Sequence, residues 1–146
     1  MDKIIYQVSQ LRCNPQKAFE MFTVNEHVEK WLTKAADIEP EVGGKYELFW
    51  NLDDKEHDST IGCRITALHP GRLLAFEWKG PQQFEFMNQV RPLTHVVVAF
   101  IPEGEGTEVH LIHTGWLNTA AWEEARQWFE KAWILALSEL KTYSRG

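Results

Sequence analysis

Two histidines, His110 and His113, are the first candidates for chemistry because they lie three positions apart in a run that predicts a strand. Side chains three apart on a strand point to opposite faces, so this pair is not expected to chelate one ion. His57 lies in an acidic loop, but its spacing matches no recognised metal site. The sequence therefore predicts no metal and no cofactor. His113 shares its parity with Val109 and Leu111 and is expected to point inward.

Nucleophilic catalysis has little support in the sequence. There is no G-x-S-x-G elbow and no glycine-rich phosphate loop. Cys63 alternates with Ile61 and Ile65, which predicts a thiol that faces the core, and a buried thiol in apolar surroundings is usually inert. No catalytic residue is therefore assigned.

An enzyme of the cyclase or hydrolase kind stays open as an alternative. It would use His113 with a pocket acid such as Glu77. Glu77, however, has the opposite strand parity from Phe76 and Trp78, which argues against that pairing. The sequence favours a protein that is not an enzyme.

Aromatic side chains carry the more informative pattern. They make up 12% of the chain and include seven tryptophans. Rings on periodic faces are core residues first, but large rigid rings also line apolar ligand sites. The residues predicted to line a ligand cavity share an inward parity or the apolar stripe of a helix: Trp31, Trp50, Phe76, Trp78, Phe100, His113 and Trp133. Apolar walls with one ionisable group favour a flat, weakly polar molecule over a charged one. In the competing interpretation, the same rings fill the space completely and leave no cavity.

Length and charge restrict the classes of protein. The 146 residues predict a single domain over 1–146, and 15 Lys and Arg against 21 Asp and Glu give a net charge of −6. A net acidic chain without a basic run is not expected to bind nucleic acid. No apolar run approaches the length of a membrane span. Cys13 and Cys63 are lone cysteines and the N-terminus resembles no secretion signal, so a cytoplasmic location is predicted.

The elements that must position these residues follow the order β-α-α-β-β-β-β-β-α. Residues 3–11 predict the first strand, and Asn14-Pro15 and Asn25 predict the starts of two short helices. A helix without Gly or Pro runs from Asn118 or Thr119 to Tyr143, with an apolar stripe along one face. Such a helix buries its stripe most simply against the concave face of a curved antiparallel sheet.

Five strands are predicted between the short helices and the long one. Period-two alternation supports three of them, residues 45–51, 61–67 and 74–79, while residues 80–92 are interpreted as irregular. Residues 94–101 and 108–116 flank a Pro- and Gly-containing turn and predict a hairpin.

Four stretches of the sequence resemble a known family. They are Asn14-Pro15…Phe19 with Val28-Glu29-Lys30-Trp31; Val42-Gly43-Gly44-Lys45-Tyr46-Glu47; Leu68 through Trp78; and Gly106-Thr107-Glu108-Val109 through His113-Thr114-Gly115-Trp116. Together they are similar to the domain homologous to the C-terminal part of the activator of the heat-shock-protein-90 ATPase. That family lies in the START-like (SRPBCC, birch-allergen-like) helix-grip superfamily.

The resemblance implies an α+β helix-grip fold, in which a six-stranded antiparallel sheet wraps around the long C-terminal helix. It also implies a cavity between sheet and helix, since members of the superfamily bind diverse apolar ligands and some are enzymes. The expected function is binding of a small apolar or aromatic molecule there. A protein-interaction or chaperone-associated module without a ligand is the alternative, and a chaperone partner follows from the resemblance alone.

The outer face of the sheet predicts a possible homodimer. Val97, Ala99, Ile101, Ile112 and Trp116 share that face if Val96, Val98 and Phe100 point inward. Contiguous exposed apolar area of this size usually marks an interface.

Overall fold

The structure is a computed structural model that describes residues 3–145. Its elements, in chain order, are β1 (Ile5–Leu11), α1 (Pro15–Thr23), α2 (Asn25–Trp31), β2 (Ala35–Ile38), β3 (Tyr46–Phe49), β4 (Ile65–His69), β5 (Leu73–Trp78), a 3₁₀ segment (Gln82–Gln89), β6 (Thr94–Glu103), β7 (Gly106–Thr114) and α3 (Ala120–Ser144). The α+β class and the long C-terminal helix agree with the sequence-based prediction. Residues 82–89, expected to be irregular, form the 3₁₀ segment instead, and β2 was not predicted.

The main sheet has five antiparallel strands in the order β1-β7-β6-β5-β4. Alternation along β6 and β7 buries one face, which includes Val98 and Leu111, beneath α3. The helix also bonds to the sheet directly, since Gln7 Nε2 donates to the carbonyl oxygen of Glu130 at 2.8 Å. The sheet and α3 therefore enclose the space in which the sequence predicts a cavity.

The prediction of a six-stranded sheet is wrong, because β3 pairs with β2 in a separate two-stranded sheet. Between β3 and residues 59–64 the pairing is limited to the isolated bridges Lys45–Arg64 and Phe49–Ser59, with single backbone bonds from the N–H of Tyr46 to Cys63 and from the N–H of Thr60 to Leu48. The hydroxyl of Thr60 interrupts the ladder there: it donates to the carbonyl oxygen of Tyr46 at 2.9 Å and accepts from the backbone N–H of Leu48 at 2.8 Å. A side chain thus occupies positions that a sixth strand would fill with backbone groups.

Helix starts follow the residues that the sequence indicates. Asn14 accepts from the backbone N–H of Lys17 at 2.8 Å, with Pro15 in the first turn of α1. Thr119 caps α3 by accepting from the N–H of Trp122 at 3.3 Å. Asn25 begins α2, but its side chain accepts from the N–H of Ile38 at 3.0 Å and so ties α2 to β2. These contacts fix the two short helices at one end of the sheet.

The outer face of the main sheet carries several apolar side chains exposed to solvent. Ile101 on β6 is exposed, as are Tyr6 and Val8 on the edge strand β1. The expectation that Trp116 shares this face is wrong. Strand β7 ends at Thr114, and the backbone reverses at the next residue, a glycine with φ of +97° that favours this conformation. The reversal buries Trp116, whose indole N–H donates to the carbonyl oxygen of His113 at 3.0 Å.

Candidate functional site

A cleft of about 420 Å³ opens between α3, the end of β5 and the connections that flank the small sheet. We call it the tryptophan cleft because five indoles line it, together with apolar residues of α3: Trp31, Trp50, Trp78, Trp128 and Trp133. Its volume lies within the range of small-molecule sites in proteins. The cleft is therefore large enough to admit an aromatic molecule.

Three of these tryptophans are held by hydrogen bonds to the protein. Trp31 Nε1 donates to the carbonyl oxygen of Met21 at 2.8 Å, and Trp50 Nε1 donates to that of Leu32 at 2.9 Å. Trp133 Nε1 donates to a ring nitrogen of His113 at 3.1 Å. These bonds fix the ring orientations, so most of the wall is formed before any ligand arrives.

Trp78 differs from the other three. Its side chain is 4% exposed and lines the cleft, yet its indole N–H has no hydrogen-bond partner within residues 3–145. Its ring packs against two other wall residues, with centroids 5.9 Å from Trp50 and 5.1 Å from Trp133. Leaving a buried donor unpaired costs about 1–3 kcal/mol, so this position is unusual for a folded protein.

The other end of the space between sheet and α3 is filled by side chains. The rings of Tyr46 and Phe76 stack with centroids 3.8 Å apart, and Phe22 meets Phe100 edge to face at 5.5 Å. The Tyr46 hydroxyl donates to the carbonyl oxygen of Phe22 at 2.7 Å. We call this region the packed end, defined by Phe22, Tyr46, Phe76 and Phe100. All four residues are buried and none lines the cleft.

His113 lies behind the cleft wall rather than on it. An indole N–H can only donate, so the bond from Trp133 makes Nδ1 of His113 the acceptor. The proton then sits on Nε2, which donates to the hydroxyl oxygen of Thr94 at 3.1 Å. Both ring nitrogens are therefore satisfied, and the histidine supports Trp133 from behind.

Burial keeps His113 neutral and lowers its pKa to about 3. The desolvated site disfavours the charged imidazolium, and the nearby His95 lowers the pKa further. The acid considered for it, Glu77, instead accepts from the backbone N–H of Arg64 at 3.0 Å on the opposite face of β5. The structure does not form the pairing that the enzyme alternative requires.

Charged groups occur only at the margin of the cleft. Asp58 and Glu139 line it, and one carboxylate oxygen of Asp58 accepts from the backbone N–H of Gln82 at 2.8 Å. Lys79 also lines it, but its ammonium nitrogen lies 3.8 Å from the position that a Cβ would occupy at Gly62. The ammonium thus lies beside the loop at Gly62, and the charged groups of the lining are two carboxylates and one ammonium.

The remaining candidates for chemistry are held in inert settings. Cys63 is fully buried, and desolvation raises the pKa of its thiol to about 12. Burial also raises the pKa of Cys13, and both cysteines are free. Within residues 3–145, no group of three or more His, Cys, Asp or Glu side chains is placed to hold a metal ion.

The structure brings together four of the seven residues predicted to line a cavity, Trp31, Trp50, Trp78 and Trp133. It places the other three, Phe76, Phe100 and His113, in the interior next to the cleft. Sequence reasoning missed Trp128, which is outside the apolar stripe of α3. The available signal was a tryptophan off the stripe directly before Phe129, which is on it, and the two rings lie 4.9 Å apart at the cleft.

Comparison with known proteins identifies the family of this chain. Residues 12–145 match the model of the family described as Activator of Hsp90 ATPase homolog 1-like protein. The chain belongs to this family. The match confirms the resemblance drawn from the sequence motifs. No curated protein matches the sequence significantly.

Solved structures of Activator of Hsp90 ATPase homolog 1-like proteins and similar chains share the fold at low identity. Protein MLL2253 from Mesorhizobium loti superposes with a TM-score of 0.76 at 18% identity, covering 97% of this chain and 96% of its own. PFC0360w from Plasmodium falciparum, described as an HSP90 activator, gives 0.71 at 16% identity, with 95% and 94% covered. The Aha1 dimer from Colwellia psychrerythraea gives 0.70 at 17% identity, with 95% and 93% covered.

Among the helices of residues 3–145, none combines the length and apolar character needed to cross a bilayer.

Proposed function

We propose that this protein binds a small, flat, largely apolar molecule in the tryptophan cleft. The observation that carries the proposal is an open volume of about 420 Å³ walled by five indoles in a domain whose interior is otherwise packed. An unfilled cleft forfeits the burial that these rings would otherwise gain, which disfavours it unless a ligand covers them. Trp31, Trp50, Trp78 and Trp133 are assigned to ligand contact, with His113 supporting Trp133.

Electrostatics favours an uncharged ligand. The walls are apolar, and burying an unpaired charge against them is expensive. His113 is neutral and hydrogen-bonded at both nitrogens, so the proposal gives it no proton-transfer step. Binding without catalysis is the function that these contacts support best.

A pair of matched substitutions on α3 tests the proposal. Ala132 lines the cleft, and Ala132→Phe is expected to fill it and to weaken binding of the uncharged fluorophore N-phenyl-1-naphthylamine at least tenfold. Ala121 lies on an exposed part of the same helix outside the cleft, so Ala121→Phe should leave the affinity unchanged. Fluorescence titration measures both affinities, and circular dichroism checks that both variants fold.

Equal affinities for the two variants would place the fluorophore elsewhere and contradict the proposal. Native mass spectrometry of freshly purified protein adds a direct observation. A co-purifying small molecule should appear with the wild type and be lost from Ala132→Phe, whereas Ala121→Phe retains it.

A second candidate, a protein-interaction module, is favoured by the outer face of the main sheet. Tyr6, Val8 and Ile101 are each about half exposed there, so apolar area is available to a partner. One structural relative is described as a dimer and another as an HSP90 activator, which makes a second copy or a chaperone the partner to test.

Analytical ultracentrifugation of the wild type and of Ile101→Glu tests this surface. Dimerisation through the sheet predicts a wild-type dimer at high micromolar concentration that Ile101→Glu dissociates. A wild type that stays monomeric excludes the homodimer. A Hsp90 ATPase assay with and without the protein then tests the chaperone as the partner.

A further inference from the structure

The indole N–H of Trp78 distinguishes this residue from the other deeply placed tryptophans of the cleft. Trp31, Trp50 and Trp133 each donate to an acceptor of the protein. Trp78 is as buried as Trp31 and Trp133 and more buried than Trp50, yet its Nε1 is the one buried side-chain polar atom without a partner in residues 3–145. Buried polar groups in folded proteins are almost always paired, so an unpaired donor at a binding cleft calls for an acceptor from outside the chain.

Resting on the proposed function, we propose that the ligand is an uncharged aromatic molecule that carries a hydrogen-bond acceptor, a carbonyl oxygen or an aromatic ring nitrogen, which takes the N–H of Trp78. Such a bond forms where water is excluded, and it relieves the unpaired donor of the free protein. The gain in binding free energy from this hydrogen bond is therefore available to molecules with an acceptor and not to hydrocarbons of the same shape.

Charge at the margin excludes an anionic acceptor. Asp58 and Glu139 line the cleft, while the ammonium of Lys79 lies beside Gly62. A carboxylate entering the cleft meets two carboxylates at the margin against the one ammonium of Lys79, besides losing its hydration. Neutral acceptors keep the hydrogen bond without this cost.

Access to the Trp78 N–H requires a movement in the wall of the cleft. Trp78 Nε1 is out of contact with water, so an acceptor reaches it only when a neighbouring side chain moves. Trp128 is the least confined of the five indoles, with 42% of its surface exposed. Binding is therefore expected to change the environments of both Trp78 and Trp128.

Three probes of nearly the same shape separate the contributions of the hydrogen bond and of ligand charge to the affinity. 2-Acetylnaphthalene carries a neutral carbonyl, 2-isopropenylnaphthalene replaces that oxygen with a methylene, and 2-naphthoate replaces the methyl ketone with an anionic carboxylate. Competition against N-phenyl-1-naphthylamine measures their affinities. The wild type is expected to prefer the ketone to the hydrocarbon by about threefold to tenfold, the worth of one net hydrogen bond, and to bind the carboxylate most weakly.

Two conservative variants assign the preference to a residue. Trp78→Phe keeps an aromatic ring but removes the N–H, so the ketone and the hydrocarbon should bind equally. Trp50→Phe removes an N–H that is already bonded to Leu32, so the preference should survive. In the wild type, NMR of the indole N–H groups gives a readout that needs no variant. The Trp78 signal should move downfield with the ketone and not with the hydrocarbon.

The outcomes separate this inference from the function on which it rests. Failure of N-phenyl-1-naphthylamine itself to bind overturns both, whereas a fluorophore that binds and is displaced by none of the three probes overturns this inference alone. Equal binding of ketone and hydrocarbon by the wild type, with an unmoved Trp78 N–H signal, overturns the acceptor and leaves ligand binding standing; a trapped water on the N–H would give this result. A preference that survives in Trp78→Phe also overturns it.

Discussion

The two ends of the space between the main sheet and α3 use the same kind of side chain to opposite effect. At the packed end, Tyr46 and Phe76 stack at 3.8 Å and leave no opening. At the tryptophan cleft, Trp50 and Trp78 meet edge to face at 5.9 Å beside about 420 Å³ of open volume. Aromatic content therefore does not decide between core and pocket. What decides is whether the rings of facing elements meet, and at the cleft α3 and the small sheet stay apart.

The largest expected effect is at the packed end. Phe100→Ala removes a fully buried ring that Phe19 and Phe22 both contact, and should lower the free energy of unfolding by about 3–5 kcal/mol. Urea denaturation measures the loss. A loss below 1 kcal/mol would mean that this end is not packed, and the comparison would fail.

The next effect concerns the buried histidine and is a dependence on pH. The unfolded chain protonates His113 near its ordinary pKa of 6.5, whereas the folded protein resists protonation down to about 3. Between these values the unfolded state binds more protons, so stability falls as the pH falls, by about 1.4 kcal/mol per pH unit. His113→Gln keeps a donor and an acceptor but does not titrate.

The difference in unfolding free energy between wild type and His113→Gln should therefore shrink by about 2 kcal/mol from pH 6.5 to pH 5. Urea denaturation at several pH values checks this. A constant difference would show that His113 is not neutral in the folded protein.

A smaller effect separates two indole hydrogen bonds. Trp133→Phe leaves Nδ1 of His113 without its donor in a dry interior, which should cost about 1–3 kcal/mol. Trp50→Phe removes a bond to the carbonyl oxygen of Leu32 that is only partly buried, where water can replace the donor, and should cost less than about 1 kcal/mol. Thermal and urea denaturation should rank the two variants in this order, and the reverse order would contradict the described network.

The smallest effect is expected at the mouth of the cleft. Trp128 is 42% exposed and contacts Phe84 and Phe129 from outside the core. Trp128→Ala should change the free energy of unfolding by less than about 1 kcal/mol while altering fluorophore affinity. A destabilisation as large as that of Phe100→Ala would remove the distinction between the two ends.

The sequence predicted the features that depend on local pattern. The caps at Asn14 and Thr119 and the stripe of α3 gave the helices, because capping residues and period 3.6 act over a few residues. Strand β2 was missed because Ala35–Ile38 shows no alternation and has a single large apolar residue, Ile38. Its partner β3 alternates as a sheet strand does, but the hydroxyl of Thr60 decides which neighbour it pairs with.

The candidate site was predictable only in part, because local pattern gives the direction of a side chain but not what that side chain meets. Strand parity correctly predicted that the side chains of Trp78 and His113 point inward. It does not predict whether an inward ring meets another ring or open space. That depends on how far α3 lies from each strand, a property of the assembled fold. Trp128 belonged to no stripe, so periodicity gave it no role, although it lines the cleft.

The attachment of the small sheet has a consequence for how such proteins diverge. Trp31 precedes it and Trp50 follows it, so it carries one wall of the cleft. It is joined to the chain that leads into the main sheet by backbone hydrogen bonds, among them those from the N–H of Tyr46 to the carbonyl oxygen of Cys63 and from the N–H of Thr60 to that of Leu48, both 2.9 Å. Side-chain substitutions in that unit that leave these backbone bonds in place would reshape the wall and keep the attachment to the five-stranded frame. One scaffold can therefore carry differently shaped walls, and the fold itself is shared by structures only 16–18% identical to this chain.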